Sequence, residues 1–239
     1  MTALIYQTDA YIKEFESIVT AVDAETRGVV LNRTAFYPGG GGQPCDFGSL
    51  EVSGIVYPVE KVKKQGEIVI HFLGGATPLP GIGSASRGTL DWVRRYQLMR
   101  THTALHVLCG TVFRDYGALV TGGDMEPLKG RMDFEFQTMR GELVREIEAA
   151  VNKEVATGRQ IRVKILPREE AFKIPDLIRT KINLLPEGIT QVRTVEIVGL
   201  DLQADGGTHV AHTSEVGKIK VADYKSKGAI NKRIYIEVE

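Results

Sequence analysis

Four side chains in this sequence have types and spacing suited to holding a divalent cation: His102, His106, Asp205 and His209. The first two stand four apart in His102-Thr-Ala-Leu-His106, and residues at that spacing share one face of a helix. Neutral imidazole suits zinc, which takes three or four ligands from a protein. The other half of the set lies in Asp205-Gly-Gly-Thr-His209, where the two glycines allow a tight turn that aims both ends the same way. Taken singly, each run is weak, because paired helical histidines are more often surface or core residues. The chain holds five histidines and two cysteines, so finding both runs in it is worth more than either alone. Asp205 stays open between a ligand and a solvent-facing turn residue, with His212 as the substitute ligand. His71 reads as a strand residue without a role. Thr103 stands where the HExxH of metalloproteases needs its glutamate, which counts against that chemistry.

The helix that must carry the first pair starts at Asp91, a fitting N-cap, and runs to about Tyr116 with Gly117 past its end. A second helix is expected from about Thr138 to Thr157, with Leu143, Ile147, Val151 and Val155 on one stripe and Gly158 as its stop. Met132, Phe134 and Phe136 alternate as a strand does, and Ile161 to Leu166 reads as another. Arg168 to Arg179 suggests a short helix interrupted at Pro175. Val192 to Leu200 is a strand delivering the second ligand run, and Val216–Val221 with Lys232–Val238 form an antiparallel pair.

Earlier in the chain the pattern is short and strand-like, around Tyr11–Val19, Gly28–Leu31, Gly54–Tyr57 and Ile68–Phe72, which indicates a small barrel or sandwich. Leu73 to Gly88, rich in Gly, Pro and Ser, is the linker candidate. The expected architecture is α+β. A glycine-rich, β-barrel-like domain spans residues 1–88, and an α+β domain with an antiparallel sheet packed on helices spans residues 89–239.

Thirty basic and thirty acidic residues cancel, so nucleic-acid binding must be argued from local clusters. Arg94, Arg95 and Arg100 precede the first histidine, and Lys218, Lys220, Lys225, Lys227, Lys232 and Arg233 gather late. Cys45 and Cys109 make no disulfide framework. With no secretory leader and no long apolar span, they lead to the expectation of a reduced, cytoplasmic setting with no membrane association. The Gly39–Gly42 run lacks the Gly-Lys-Ser/Thr of a phosphate-binding loop, which excludes nucleotide hydrolysis by that device. No feature sets an oligomeric state.

Taken in order, Arg33-Thr-Ala-Phe-Tyr-Pro38 with Gly39–Gln43, the run DWVRRYQLMRTHTALHVL from Asp91, GGTHV from Gly206 and KGAINKRIYIE from Lys227 resemble the editing domain of alanyl-tRNA synthetase. More closely, they are similar to the free-standing alanyl-tRNA editing proteins of the AlaX family, medium-length type, over essentially the whole chain. The resemblance implies hydrolysis, at a zinc site, of the ester joining serine, and in addition glycine, to tRNA for alanine. An alanine pocket rejects a side chain with one added hydroxyl poorly, whereas a second site that hydrogen-bonds the hydroxyl inverts the preference.

The resemblance further implies that Thr34 stands beside the serine side chain and that Gln43 lines the pocket. On spacing alone, Thr34 is an ordinary β-branched strand residue. Where the family usually has cysteine, this chain has Asp205, whose carboxylate is a harder and shorter ligand. The metal would activate water or position the ester, and four protein ligands favour positioning. The late basic cluster is the expected contact for the tRNA backbone. Two rivals remain: a non-catalytic tRNA-binding adaptor that lost activity with the change to Asp205, and a metal-dependent hydrolase of small esters or peptides.

Overall fold

The strand-like pattern of the N-terminal part closes into a barrel. The computed structural model describes residues 1–178 and 188–239 and divides into two units, Met1–Tyr96 and Gln97–Glu239. In chain order the first unit holds β1 (Ala3–Leu4), β2 (Glu14–Asp23), β3 (Gly28–Leu31), β4 (Arg33–Thr34), β5 (Gly48–Val52), β6 (Ile55–Gln65), β7 (Ile68–Leu73) and β8 (Ala85–Leu90). The order β2-β3-β7-β6-β5-β8 is a closed antiparallel barrel, while β1 and β4 pair in parallel. Successive strand residues face opposite sides, so Phe15, Val29, Leu31, Leu50, Val69 and Leu90 meet in the interior.

The expected linker is shorter than Leu73–Gly88, because its last residues belong to β8. Ala85, Ser86 and Gly88 carry no apolar signature, yet the strand alternates exposed and buried. A Cβ at position 88 would lie 2.5 Å from the Phe15 ring, so glycine there makes room for the aromatic. The first long strand starts at Glu14 rather than Tyr11, and Ile55–Tyr57 opens the longer β6.

The chain continues with α1 (Trp92–Tyr116), β9 (Val120–Glu126), β10 (Lys129–Glu135), α2 (Gly141–Ala156), β11 (Ile161–Pro167), α3 (Arg168–Ala171), β12 (Gln191–Ile197), β13 (Asp201–Ala204), β14 (Ile219–Ser226) and β15 (Asn231–Val238). Asp91 Oδ1 accepts the Arg94 N–H at 3.1 Å, and Gly117 closes α1 at φ 66°. Among the described residues of the second unit the sheets are β14-β15-β10-β9 and β11-β12-β13, both antiparallel. Helix α2 buries Val144, Ile147, Val151 and Val155, starting three residues later than expected and using Val144 where Leu143 was expected. It is tied to β14 by Asn152, which donates to Ile219 O at 2.7 Å and accepts its N–H at 2.9 Å. The architecture is the expected α+β.

The expected helix over Arg168–Arg179 is one turn, α3, and Arg179 lies outside the described residues. The expected strand over Val192–Leu200 ends at Ile197. Gly199, at φ 74°, then turns the chain into β13. No helix among the described residues is long and apolar enough to cross a membrane. Cys45 and Cys109 are free thiols.

Candidate metal centre

Helix α1 is buried continuously from Thr101 to Val112, so both of its histidines point into protein. Their rings lie 5.0 Å apart, and His209 stacks on His102 at 4.2 Å and meets His106 edge-on at 4.7 Å. Asp205 Oδ2 lies 3.0 Å from His209 Nε2, and its Oδ1 lies 3.6 Å from His102 Nε2. One ligand atom from each of His102, His106, Asp205 and His209 falls within 4.8 Å of the others. Tetrahedral donors around zinc at its usual bond lengths stand roughly 3.4 Å apart. The spacing and the donor types therefore fit a metal ion, which a small contraction would bring within reach of all four residues.

The turn that aims Asp205 differs from the expected one. Neither Gly206 nor Gly207 has a positive φ. Instead the Gly207 N–H donates to Asp205 Oδ2 at 2.8 Å, so the aspartate closes its own turn. Arg193 on β12 donates to the Asp205 carbonyl at 2.9 Å and lies 3.6 Å from its carboxylate. His212 is not a substitute ligand. Its side chain is half exposed, with Nδ1 3.9 Å from Glu215 Oε1.

Two residues that the sequence reading missed orient the imidazoles. His106 Nδ1 donates to Asp201 Oδ2 at 3.1 Å, which turns its other ring nitrogen toward the cluster. Gln203 Nε2 donates to the same carboxylate oxygen at 2.6 Å. Thr103 Oγ1 lies 3.1 Å from His209 Nδ1, which leaves His209 Nε2 toward Asp205. Burial pushes His102 well below its ordinary pKa and His209 down to about 4, against the pull of Asp205. Burial also opposes protonation of His106, but the hydrogen bond and charge of Asp201 outweigh it and raise its pKa. Burial would raise Asp205, yet the surrounding imidazoles hold it well below the carboxylate range. The result is two neutral imidazoles, His102 and His209, and an ionised Asp205 carboxylate, with His106 drawn toward the protonated form by Asp201.

The other two candidates lie in the first unit. Thr34, on β4, is fully buried, and Gln43 is nearly so. Gln43 ends a loop in which Gly39 to Gly42 all have positive φ, 85°, 135°, 58° and 88°, a path that only glycine follows without strain. Reciprocal bonds between Gly40 and Gln43, at 3.0 and 2.9 Å, close it. His71 is a strand residue, as expected, and its ring is hydrogen-bonded at both nitrogens. It lies inside the barrel with Nε2 2.8 Å from Thr34 Oγ1 and Nδ1 3.1 Å from Val29 O.

Much of the basic clustering is used within the fold. Arg95 is fully buried against Asp46, and Arg100 donates to Val216 O and Glu239 O. Arg233 grips Asp133 with two bonds of 2.6 and 2.8 Å, and the buried Lys232 ammonium donates to Gly228 O and Ala229 O. Lys225 pairs with Asp223 at 3.0 Å. Lys220 and Lys227 are exposed.

A closed barrel is followed in the chain by an α+β unit with a buried three-histidine, one-aspartate cluster that could hold a metal ion. Residues 3–94 match the family described as tRNA synthetases class II (A), and residues 192–235 match the threonyl and alanyl tRNA synthetase second additional domain. The chain is 38% identical to the alanyl-tRNA editing protein AlaX-M of Saccharolobus solfataricus, covering 100% of both chains. It is 36% identical to that of Methanosarcina acetivorans, covering 98% of each. It also matches the alanine–tRNA ligase of Ignicoccus hospitalis at 37% identity, with 92% of this chain aligned to 24% of the ligase. The chain belongs to the AlaX-M family of alanyl-tRNA editing proteins.

Proposed function

We propose that this chain is a trans-acting aminoacyl-tRNA hydrolase that cleaves the ester linking serine, and in addition glycine, to tRNA for alanine. The observation that carries the reading is the convergence of His102, His106, Asp205 and His209 in a member of the alanyl-tRNA editing family. His102, His106, Asp205 and His209 would hold zinc, which would supply positive charge for positioning and polarising the ester. The chain's own part is to bury His102 and His209 in their neutral form, hold the Asp205 carboxylate ionised and aim the three rings. Thr34 reads the serine side chain and Gln43 lines the pocket. Such reading has to come from a polar contact, since added bulk alone discriminates poorly between alanine and serine.

Lys220 and Lys227 are the members of the late cluster assigned here to the tRNA backbone, where contacts to phosphate weaken as salt rises. A cytoplasmic setting goes with this substrate. The convergence of Asp205 with the three histidines supports a working ligand over the adaptor reading, in which the position is a relic.

The deciding experiment incubates the purified protein with tRNA for alanine charged with serine, glycine or alanine. Ester loss is followed before chelation, after it, and after zinc is restored. Serine should leave faster than from the protein-free control, stop leaving on chelation, and resume with zinc. Tight tRNA binding with no release above the spontaneous rate would put the adaptor in its place.

A further inference from the structure

We infer that His71 sets the polarity of the Thr34 hydroxyl and so acts as a positioning residue for recognition of a hydroxyl-bearing aminoacyl group. The inference rests on the role proposed for Thr34 and adds to it the direction of each proton. His71 Nδ1 lies 3.1 Å from the Val29 carbonyl, which can only accept, so Nδ1 carries the hydrogen. The ring is fully buried, with the Phe36 edge at 5.5 Å, and burial keeps it neutral, with a pKa of about 4. A neutral imidazole protonated at Nδ1 presents only a lone pair at Nε2.

Thr34 Oγ1, 2.8 Å away, must therefore give its single proton to His71. On its other side the same oxygen accepts the Phe36 N–H at 3.1 Å. A hydroxyl oxygen has two lone pairs, so one acceptor position is left and no donor. Toward a substrate, Thr34 is then purely an acceptor. A serine side chain completes it by donating, whereas the side chains of alanine and glycine have nothing to donate. The acceptor is screened from bulk water in the free chain, because both side chains are fully buried. Without His71 the Thr34 proton would be free to turn, and the same oxygen would no longer distinguish a donor from an acceptor.

The test compares wild type, Thr34→Val, His71→Leu, His71→Gln and the double variant Thr34→Val/His71→Leu. For each, kcat/KM is measured on tRNA for alanine charged with serine and with glycine, alongside the circular dichroism spectrum and zinc content. Thr34→Val should lower the serine-over-glycine ratio roughly tenfold, the scale of one hydrogen bond. His71→Leu should lower it by a similar factor, and the double variant no further. His71→Gln, whose side-chain carbonyl can take the Thr34 proton, should keep most of the ratio.

A folded, zinc-loaded His71→Leu with the wild-type ratio overturns the inference while leaving the Thr34 reading intact. An unchanged ratio in Thr34→Val overturns that reading and this inference together. Independently of any variant, imidazole 15N shifts of the wild-type protein report the tautomer of His71. The Nδ1–H form is expected, and the Nε2–H form overturns the inference even if His71→Leu does not fold.

Discussion

His106 and Asp201, ninety-five residues apart in the chain, are joined by a hydrogen bond of 3.1 Å from the imidazole Nδ1 to the carboxylate. The bond fixes which nitrogen of His106 is free to bind a metal, and Gln203 fixes the carboxylate in turn. Outer partners of this kind are typically worth about 10–100-fold in metal affinity. Asp201→Ala should therefore weaken zinc binding by a factor in that range while leaving the four ligands in place. Competition against a chromogenic chelator measures it, and an unchanged affinity would deny Asp201 any part in orienting His106.

The Asp205 carboxylate is already engaged by Gly207 and neighboured by Arg193. Asp205→Cys should keep one zinc per chain and raise affinity, because thiolate is the softer ligand and zinc accepts it readily. Asp205→Ala should lower affinity by more than Asp201→Ala does, since it deletes a ligand rather than its support. Equal affinities for wild type and Asp205→Ala would return Asp205 to the role of a plain turn residue.

Within the first unit, the buried pair Arg95–Asp46 holds the glycine loop to the start of α1. Asp46 Oδ2 accepts the Tyr37 N–H at 2.6 Å, while Arg95 donates to Ala10 O at 2.9 Å and to Ala35 O at 2.6 Å. Removing one charge from a buried pair strands the other, at a cost of about 3–5 kcal/mol. Asp46→Asn should lose stability on that scale in denaturant unfolding. A loss below about 1 kcal/mol would place the pair among ordinary surface contacts.

The clustering of His102, His106, Asp205 and His209 was legible because each half is local: one is a helical i, i+4 pair and the other a five-residue turn. Its supports were not, because each depends on register. Asp201 follows a turn that a continuous strand reading of Val192–Leu200 ran through, and Arg193 reaches Asp205 only because β12 and β13 pair as they do. The same limit explains the basic cluster. Arg233 looked available in the sequence, but Asp133 sits directly opposite it in the β10–β15 ladder. Strand β8 was hidden by its small residues, and His71 could not be assigned to the barrel interior before the sheet was closed.

His71 also makes a pH prediction. Its ring faces Phe36, the Val29 carbonyl and the Thr34 hydroxyl, and burial lowers its pKa from 6.5 to about 4. As pH falls below about 6.5, the unfolded chain takes up a proton that the folded chain refuses until about 4. Stability contributed by the neutral ring is thus fully present above that window and is lost on descending through it. Between pH 7.5 and pH 5 the wild type should lose about 2 kcal/mol more unfolding free energy than His71→Gln, from about 1.4 kcal/mol for each pH unit below 6.5. Parallel pH curves for the two proteins would show that His71 titrates freely in the folded state.

Zinc stoichiometry tests the central claim most directly: three imidazoles and one carboxylate share a single ion. Metal-free protein is titrated with zinc while binding is followed by competition and by mass spectrometry of the intact chain, for wild type and for His102→Ala, His106→Ala and His209→Ala. One tightly held zinc per wild-type chain is expected, with affinity falling sharply in every one of the three variants. No stoichiometric binding, or binding that any of the three histidine changes leaves untouched, would contradict the account.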